Sequence, residues 1–234
     1  MTRILLIRHG QASFGTDDYD RLSDLGQEQS RRVGEHLAAL PHHPEAAYSG
    51  TLRRQQQTAQ LALDHYRGEI PAVTATPAFN EYHAGPLFEA YLQRVLERDP
   101  ELAGLGDAVL TQRRAFQRAF EGVMQCWLND PAPPDPVPES WTGFQSRVVE
   151  GLEQIAQTHG KNDTIHIYTS GGVIAVGVAV ALELSALQTV MLNWRVYNGS
   201  ITELAYGRRG WSLMGFNAVD HFALQEPDRL LTFR

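Results

Sequence analysis

Arg8-His9-Gly10 follow directly on the apolar run Ile4-Leu5-Leu6-Ile7. An imidazole placed there can act as a nucleophile that takes a phosphoryl group, and the adjoining guanidinium can neutralise phosphate oxygens. The same two residues in an exposed turn would do neither, so the rest of the chain has to decide. Ser170 is a second nucleophile type, set between a strand-like segment and Gly171-Gly172. A nucleophile elbow of the α/β-hydrolase kind needs small residues two positions either side of its serine. Here those are Tyr168 and Gly172, and the bulky tyrosine counts against that chemistry. No Gly-Lys-Ser/Thr phosphate loop is present. His42-His43 have no His-Glu-x-x-His neighbour and Cys126 has no second cysteine, so no metal site is expected.

The elements that must position these residues follow from the apolar pattern. Ile4 to Ile7 reads as a buried strand of a parallel sheet, with Arg8-His9-Gly10 in the polar loop at its carboxyl end, where open α/β sheets bind ligands. Helical patterns over about 27–40 and 53–66 alternate with short strands at Ala46 to Ser49 and Ala72 to Thr76. Leu87 to Arg98 and Ala108 to Leu128 read as helices with no strand between them, and Phe116, Phe120 and Trp127 at helical spacing read as core packing. The proline-rich stretch 130–138 cannot be helix, and Glu139-Ser140-Trp141 opens another helix running to about His159. Thr164 to Tyr168 reads as a strand leading through Gly171-Gly172 into the apolar helix Val173 to Leu184. Ser200 to Tyr206 and Trp211 to Phe216 flank Gly207-Arg208-Arg209-Gly210, a hairpin signal. The expected fold is an α/β three-layer sandwich with a mostly parallel central sheet, helices on both faces and a helical insertion. It is read as one domain over 1–234, with the insertion as a cap at about 87–146.

Several segments then match a known pattern in order. Ile4 to Ala12, a strand followed by Arg-His-Gly-Gln-Ala, resembles the signature of the histidine phosphatase superfamily, the phosphoglycerate mutase-like group. Leu22 to Gln29, Leu52 to Ala59, Asn80 to Gly85, Asn198 to Leu204 and Phe216 to His221 resemble its later segments, so the likeness spans about residues 3–221. The resemblance implies that His9 is the phosphoryl-accepting nucleophile and that Arg8 clamps the phosphate. It implies that Glu81 is the general acid, a job suited to a carboxyl group whose pKa is raised by its pocket. The second arginine is either of two neighbours: spacing to Thr58-Ala59 selects Arg54, whereas counting forward from Ser49 selects Arg53, and the first spacing is preferred. The family's second histidine is replaced by Ser170, which brings a hydrogen-bond donor but no charge, while backbone N–H groups beginning at Gly171 can still favour an anion. His166, four residues earlier, cannot slip into that place; His83 and His221 are left as substitutes for a structure to locate.

Composition bounds the rest. The 234 residues carry 43% hydrophobic and 20% charged residues, an ordinary globular balance able to bury a sizeable core. The net charge of −7 argues against a general nucleic-acid binder or a polybasic membrane sticker. Lys161 is the only lysine beside 19 arginines, an excess read as mostly compositional. A lone cysteine and the absence of an 18-residue apolar run lead to the expectation of a cytoplasmic protein with no membrane association. The expectation is a metal-independent phosphatase, without cofactor, acting on a small phosphorylated substrate through phospho-His9. The alternative is a phosphate-ligand binding module that lost turnover with the change to Ser170; a phosphoglycerate mutase is third. Neither the substrate nor the oligomeric state is readable.

Overall fold

The computed structural model describes residues 1–13, 20–223 and 226–233. Two compact units divide the chain, Met1–Glu81 with Val148–Arg234, and Tyr82–Arg147. The elements run β1 (Thr2–Arg8), α1 (Asp24–Ala38), β2 (Ala46–Ser49), α2 (Arg53–Leu63), β3 (Val73–Ala75), α3 (Ala84–Arg98), α4 (Pro100–Ala103), α5 (Ala108–Thr111) and α6 (Arg113–Leu128). They continue with α7 (Trp141–Thr158), β4 (Thr164–Thr169), α8 (Gly171–Leu182), α9 (Ala186–Asn193), β5 (Ile201–Gly207), β6 (Gly210–Ala218), α10 (Asp220–Ala223) and α11 (Pro227–Leu230).

The first unit is built on one six-stranded sheet in the order β3-β2-β4-β1-β5-β6. β3, β2, β4 and β1 pair in parallel, and the β5–β6 hairpin joins antiparallel beside β1. The hairpin turns through Arg208-Arg209, and Gly210 takes the left-handed conformation, φ +87°, that a side chain would resist. β1 is central and buried from both sides, which is why it reads as an unbroken apolar run. Leu5 and Ile7 face Val33, Leu37, Ala59, Ala62 and Leu63 of α1 and α2, with Phe222 and Leu230 from α10 and α11. Leu6 faces the other way, toward α8. A Cβ on Gly177 of that helix would come within 2.9 Å of Leu6, 3.1 Å of Leu204 and 3.5 Å of Leu152 from α7. The result is a three-layer α/β sandwich with a mostly parallel sheet and helices on both faces.

α1 begins where Ser23 accepts the Gly26 N–H, a side-chain cap that sets its start three residues before the apolar pattern does. α8 begins at Gly171 and not Val173, so the two glycines form its first turn. Glu183 then ends it in the left-handed conformation, φ 55°.

The second unit has its own core, in which Tyr82, Trp127, Trp141 and Phe144 pack with ring centroids 5.2–6.1 Å apart. The indole N–H of Trp127 donates to the Glu139 carbonyl at 2.9 Å. The expected continuous helix Ala108 to Leu128 is two, because Gln112 is extended (φ −83°, ψ 118°) between α5 and α6. Trp127 is core as expected. Phe116 and Phe120 are only half-buried and stack with Phe88 at 5.2 and 5.6 Å. Among the described residues no helix is long and apolar enough to cross a membrane.

Candidate active site

The parallel pairing of β1 with β4 runs in strict register from Arg3↔Thr164 to Arg8↔Thr169. His9 and Ser170, the next residues of the two strands, therefore leave the sheet side by side at its carboxyl edge. His9 is held there by its backbone: its N–H donates to Thr169 O at 2.8 Å, and its carbonyl accepts from the Asn198 side chain at 3.2 Å and the Gly199 N–H at 3.3 Å. Only glycine fits next to it, since a Cβ on Gly10 would lie 2.2 Å from the Gly26 carbonyl oxygen.

The imidazole of His9 is buried, 6% exposed, and its two nitrogens have different partners. Nδ1 lies 2.7 Å from the Gly10 carbonyl, which can only accept, so Nδ1 carries the hydrogen. Nε2 is left with its lone pair, to which Arg54 Nε donates at 3.2 Å. Burial first, then the charges of Arg54 and Arg8, hold the His9 pKa well below its ordinary 6.5. The ring is a neutral base with a defined nucleophilic nitrogen.

Arg54, 9% exposed, is the member of the arginine pair that reaches His9; Arg53 is exposed. Its guanidinium is paired with Asp20, a residue that sequence reasoning did not single out. The Asp20 carboxylate accepts from Arg54 Nη1 and from the Arg53 backbone N–H, binding the start of α2 and its guanidinium together. Thr58 links the same helix to the nucleophile loop, accepting from the Gly10 N–H at 3.1 Å and donating to the Arg54 carbonyl at 2.8 Å.

Arg8 lies near enough to His9 to lower its pKa, yet its fork donates to main-chain carbonyls: Nη1 to Val196 O and Nη2 to Phe233 O. Glu81 is anchored at the start of α8, where the Gly172 N–H donates to its carboxylate at 3.0 Å. The helix start that was expected to favour a phosphate thus already holds one of the chain's own carboxyl groups. Gly171 allows close packing, since a Cβ there would fall 2.2 Å from Asn193 Oδ1. Ser170 is fully buried, and its hydroxyl oxygen accepts a hydrogen bond from Gln55 Nε2 at 2.8 Å.

The other histidines are engaged elsewhere. His221 bonds the Gly199 carbonyl at 2.9 Å and stacks on His36, with its pKa pushed down to about 4 by burial. His166 is buried inside the sheet, 1% exposed, with its pKa pushed down to about 3. His83 is an exposed residue preceding α3 in the second unit. Among the described residues no group of three or more His, Cys, Asp or Glu side chains could hold a metal ion.

A sandwich with an arginine-flanked histidine at the carboxyl end of its central strand defines a class, and the comparisons identify it. The sequence pattern of the histidine phosphatase superfamily (branch 1) matches residues 4–115 and 96–219, and the chain belongs to that superfamily.

Phosphoglycerate mutase 1 of Saccharomyces cerevisiae is 31% identical over 93 residues, 37% of this chain and 38% of that protein. The 2,3-bisphosphoglycerate-dependent phosphoglycerate mutase of Tropheryma whipplei is 25% identical over 171 residues, 68% of this chain and 73% of that protein. The match therefore spans little more than a third of the yeast mutase. A phosphoserine phosphatase mutant from Entamoeba histolytica, solved with phosphoserine, has the same fold at 18% identity and TM-score 0.63, covering 95% of this chain and 100% of that one. So does a mycobacterial glucosyl-3-phosphoglycerate phosphatase, at 20% identity and TM-score 0.63, covering 93% and 99%.

Proposed function

We propose that the chain is a metal-independent phosphatase that hydrolyses a small phosphomonoester through a phosphohistidine on His9. The observation that carries this reading is the state of the His9 ring, with its Nδ1 hydrogen taken by the Gly10 carbonyl and its Nε2 lone pair beside Arg54. In the first step Nε2 attacks phosphorus, the bond from phosphorus to the ester oxygen breaks, and Glu81 gives a proton to the leaving oxygen. In the second, Glu81 takes a proton from water as the water oxygen attacks phosphorus. The nitrogen–phosphorus bond breaks, releasing inorganic phosphate and restoring neutral His9. Arg54 offers charge to the transferring group, as does Arg8 once its fork turns from the carbonyls, while Ser170 and the Gly171 amide offer neutral donors. We assign the chain to the subgroup in which serine replaces the second histidine, and read 1–234 as one family domain carrying an insertion at about 87–146.

Release of phosphate from a panel of small phosphomonoesters tests this reading. His9→Ala is expected to abolish both turnover and acid-labile phosphorylation of the protein, a loss of at least about a thousandfold, as removal of a covalent nucleophile implies. Turnover persisting in that variant sinks the phosphohistidine route. The second reading, a phosphate-binding module, draws on the Arg8 fork being engaged by two carbonyls and on the neutral Ser170 corner. It is favoured if vanadate binds while no ester in the panel is hydrolysed.

A further inference from the structure

We propose that Gln55 is a positioning residue that turns the Ser170 hydroxyl into a dedicated neutral donor to the phosphoryl group, filling the corner the second histidine occupies in the family pattern. This rests on the phosphate-handling reading of the His9 site. Gln55 is completely buried, and every polar atom of its carboxamide has a fixed partner. Oε1 accepts the Leu52 N–H at 3.3 Å, and Nε2 donates one hydrogen to the Phe79 carbonyl at 3.0 Å and the other to Ser170 Oγ at 2.8 Å. An amide nitrogen can only donate, so the Ser170 oxygen is the acceptor in that pair and its own hydrogen is directed elsewhere. Among the described residues the Ser170 hydroxyl makes no donated hydrogen bond, although the residue is fully buried.

A buried hydroxyl hydrogen without an acceptor is costly unless an acceptor arrives. The register of β1 and β4 brings residue 170 level with residue 9 at the strand ends, and on this proposal a phosphoryl oxygen held at His9 supplies that acceptor. The same carboxamide braces the acid. Phe79 O, two residues before Glu81, accepts from Gln55 at 3.0 Å and from Thr169 Oγ1 at 2.8 Å, so a single side chain ties the Glu81 segment, the end of β4 and the start of α2 together. Space is accounted for as well. A Cβ on Gly50 would lie 1.9 Å from Gln55 Oε1, so the glutamine occupies the volume against the strand ends. A larger side chain at 170 would have to displace it.

The test is a double-mutant cycle read by vanadate affinity and, on the phosphoester panel, by kcat and KM. Gln55→Met keeps the unbranched shape and removes both polar atoms; Ser170→Ala removes the hydroxyl; Ser170→Thr keeps it. Each of the first two is expected to weaken vanadate binding and lower kcat by about tenfold, the size of one hydrogen bond to a charged group, with KM moving less. Ser170→Thr should restore most of the loss, and the double variant should be no worse than either single one. Losses that multiply, or a harmless Gln55→Met beside a damaging Ser170→Ala, overturn the positioning role.

The reverse exchange keeps the question open to refutation if Gln55→Met does not fold. Ser170→His alone should be defective and Gln55→Ala should rescue it, whereas full activity of Ser170→His with Gln55 in place counts against the proposal. Vanadate binding without turnover would refute only the enzymatic reading, since the cycle is then read by binding. A parent protein that neither binds vanadate nor turns over overturns both.

Discussion

At the residue scale, the nucleophile and one ionisable neighbour of its arginine make predictions of opposite kinds. Burial and two guanidinium groups hold His9 well below its ordinary pKa, so its neutral form persists as pH falls through 6.5. The profile of log kcat/KM should therefore show no limb of unit slope near pH 6.5 arising from His9; such a limb, lost in His9→Ala, would contradict the environment described. Asp20 acts through charge. It draws on the Arg54 guanidinium that a phosphate would also use. Asp20→Asn, which keeps an acceptor oxygen and removes the charge, should tighten inhibition by inorganic phosphate by about fivefold, the order of one partly screened charge–charge interaction. Weaker inhibition would mean that the carboxylate acts by orienting Arg54 instead.

The residue most legible in the sequence was one whose type is rare at its place, His9 after an apolar strand. Asp20 and Gln55 were not legible. One is the last of three aspartates within residues 17–20 and the other the first of three consecutive glutamines, and only long-range packing gives either a task.

At the element scale, strands surrounded by structure on both sides could be read almost to the residue, because burial on two faces leaves an apolar run with abrupt ends. Ala46–Ser49 needed no change, and β1 grew only by flanking residues. Helices that depend on local capping were harder. α9 was missed although Ser185 and Gln188 form a reciprocal capping box, because the long apolar run of α8 precedes it. α4, a single turn with Pro100 first, carries too little periodicity to register.

The start of α8 also makes a packing prediction. Gly171 touches Asn193 so closely that a methyl group has to push the carboxamide aside. Gly171→Ala is expected to cost about 1–3 kcal/mol, the usual range for overpacking, and to lower the urea midpoint. A variant as stable as the parent would show that Asn193 moves freely. Ser23→Ala, which removes the cap of α1, should cost about 1 kcal/mol in the same measurement.

At the scale of the whole molecule, the sheet hides a base that folding must keep unprotonated. His166 has its pKa pushed down to about 3, and among the described residues its Nε2 has no hydrogen-bond partner. The unfolded chain binds a proton near 6.5 that the folded one refuses. Stability is therefore complete above that pH and falls as pH drops below it, toward the folded value. Near pH 5 the loss from this residue is about 2 kcal/mol. His166→Phe should narrow the gap in unfolding free energy between pH 8 and pH 5; an unchanged gap would place the acid sensitivity elsewhere.

The central position of β1 has a kinetic consequence too. Ile4 pairs with Ile165 on one side and Leu204 on the other, so the middle of the sheet closes only after two very long loops are formed. Until then Ile4 to Ile7 stand exposed as a bare, sticky ribbon. During refolding from urea, helical circular dichroism should return first and vanadate binding last. Crowding at high protein concentration should divert the chain into aggregates in the interval between.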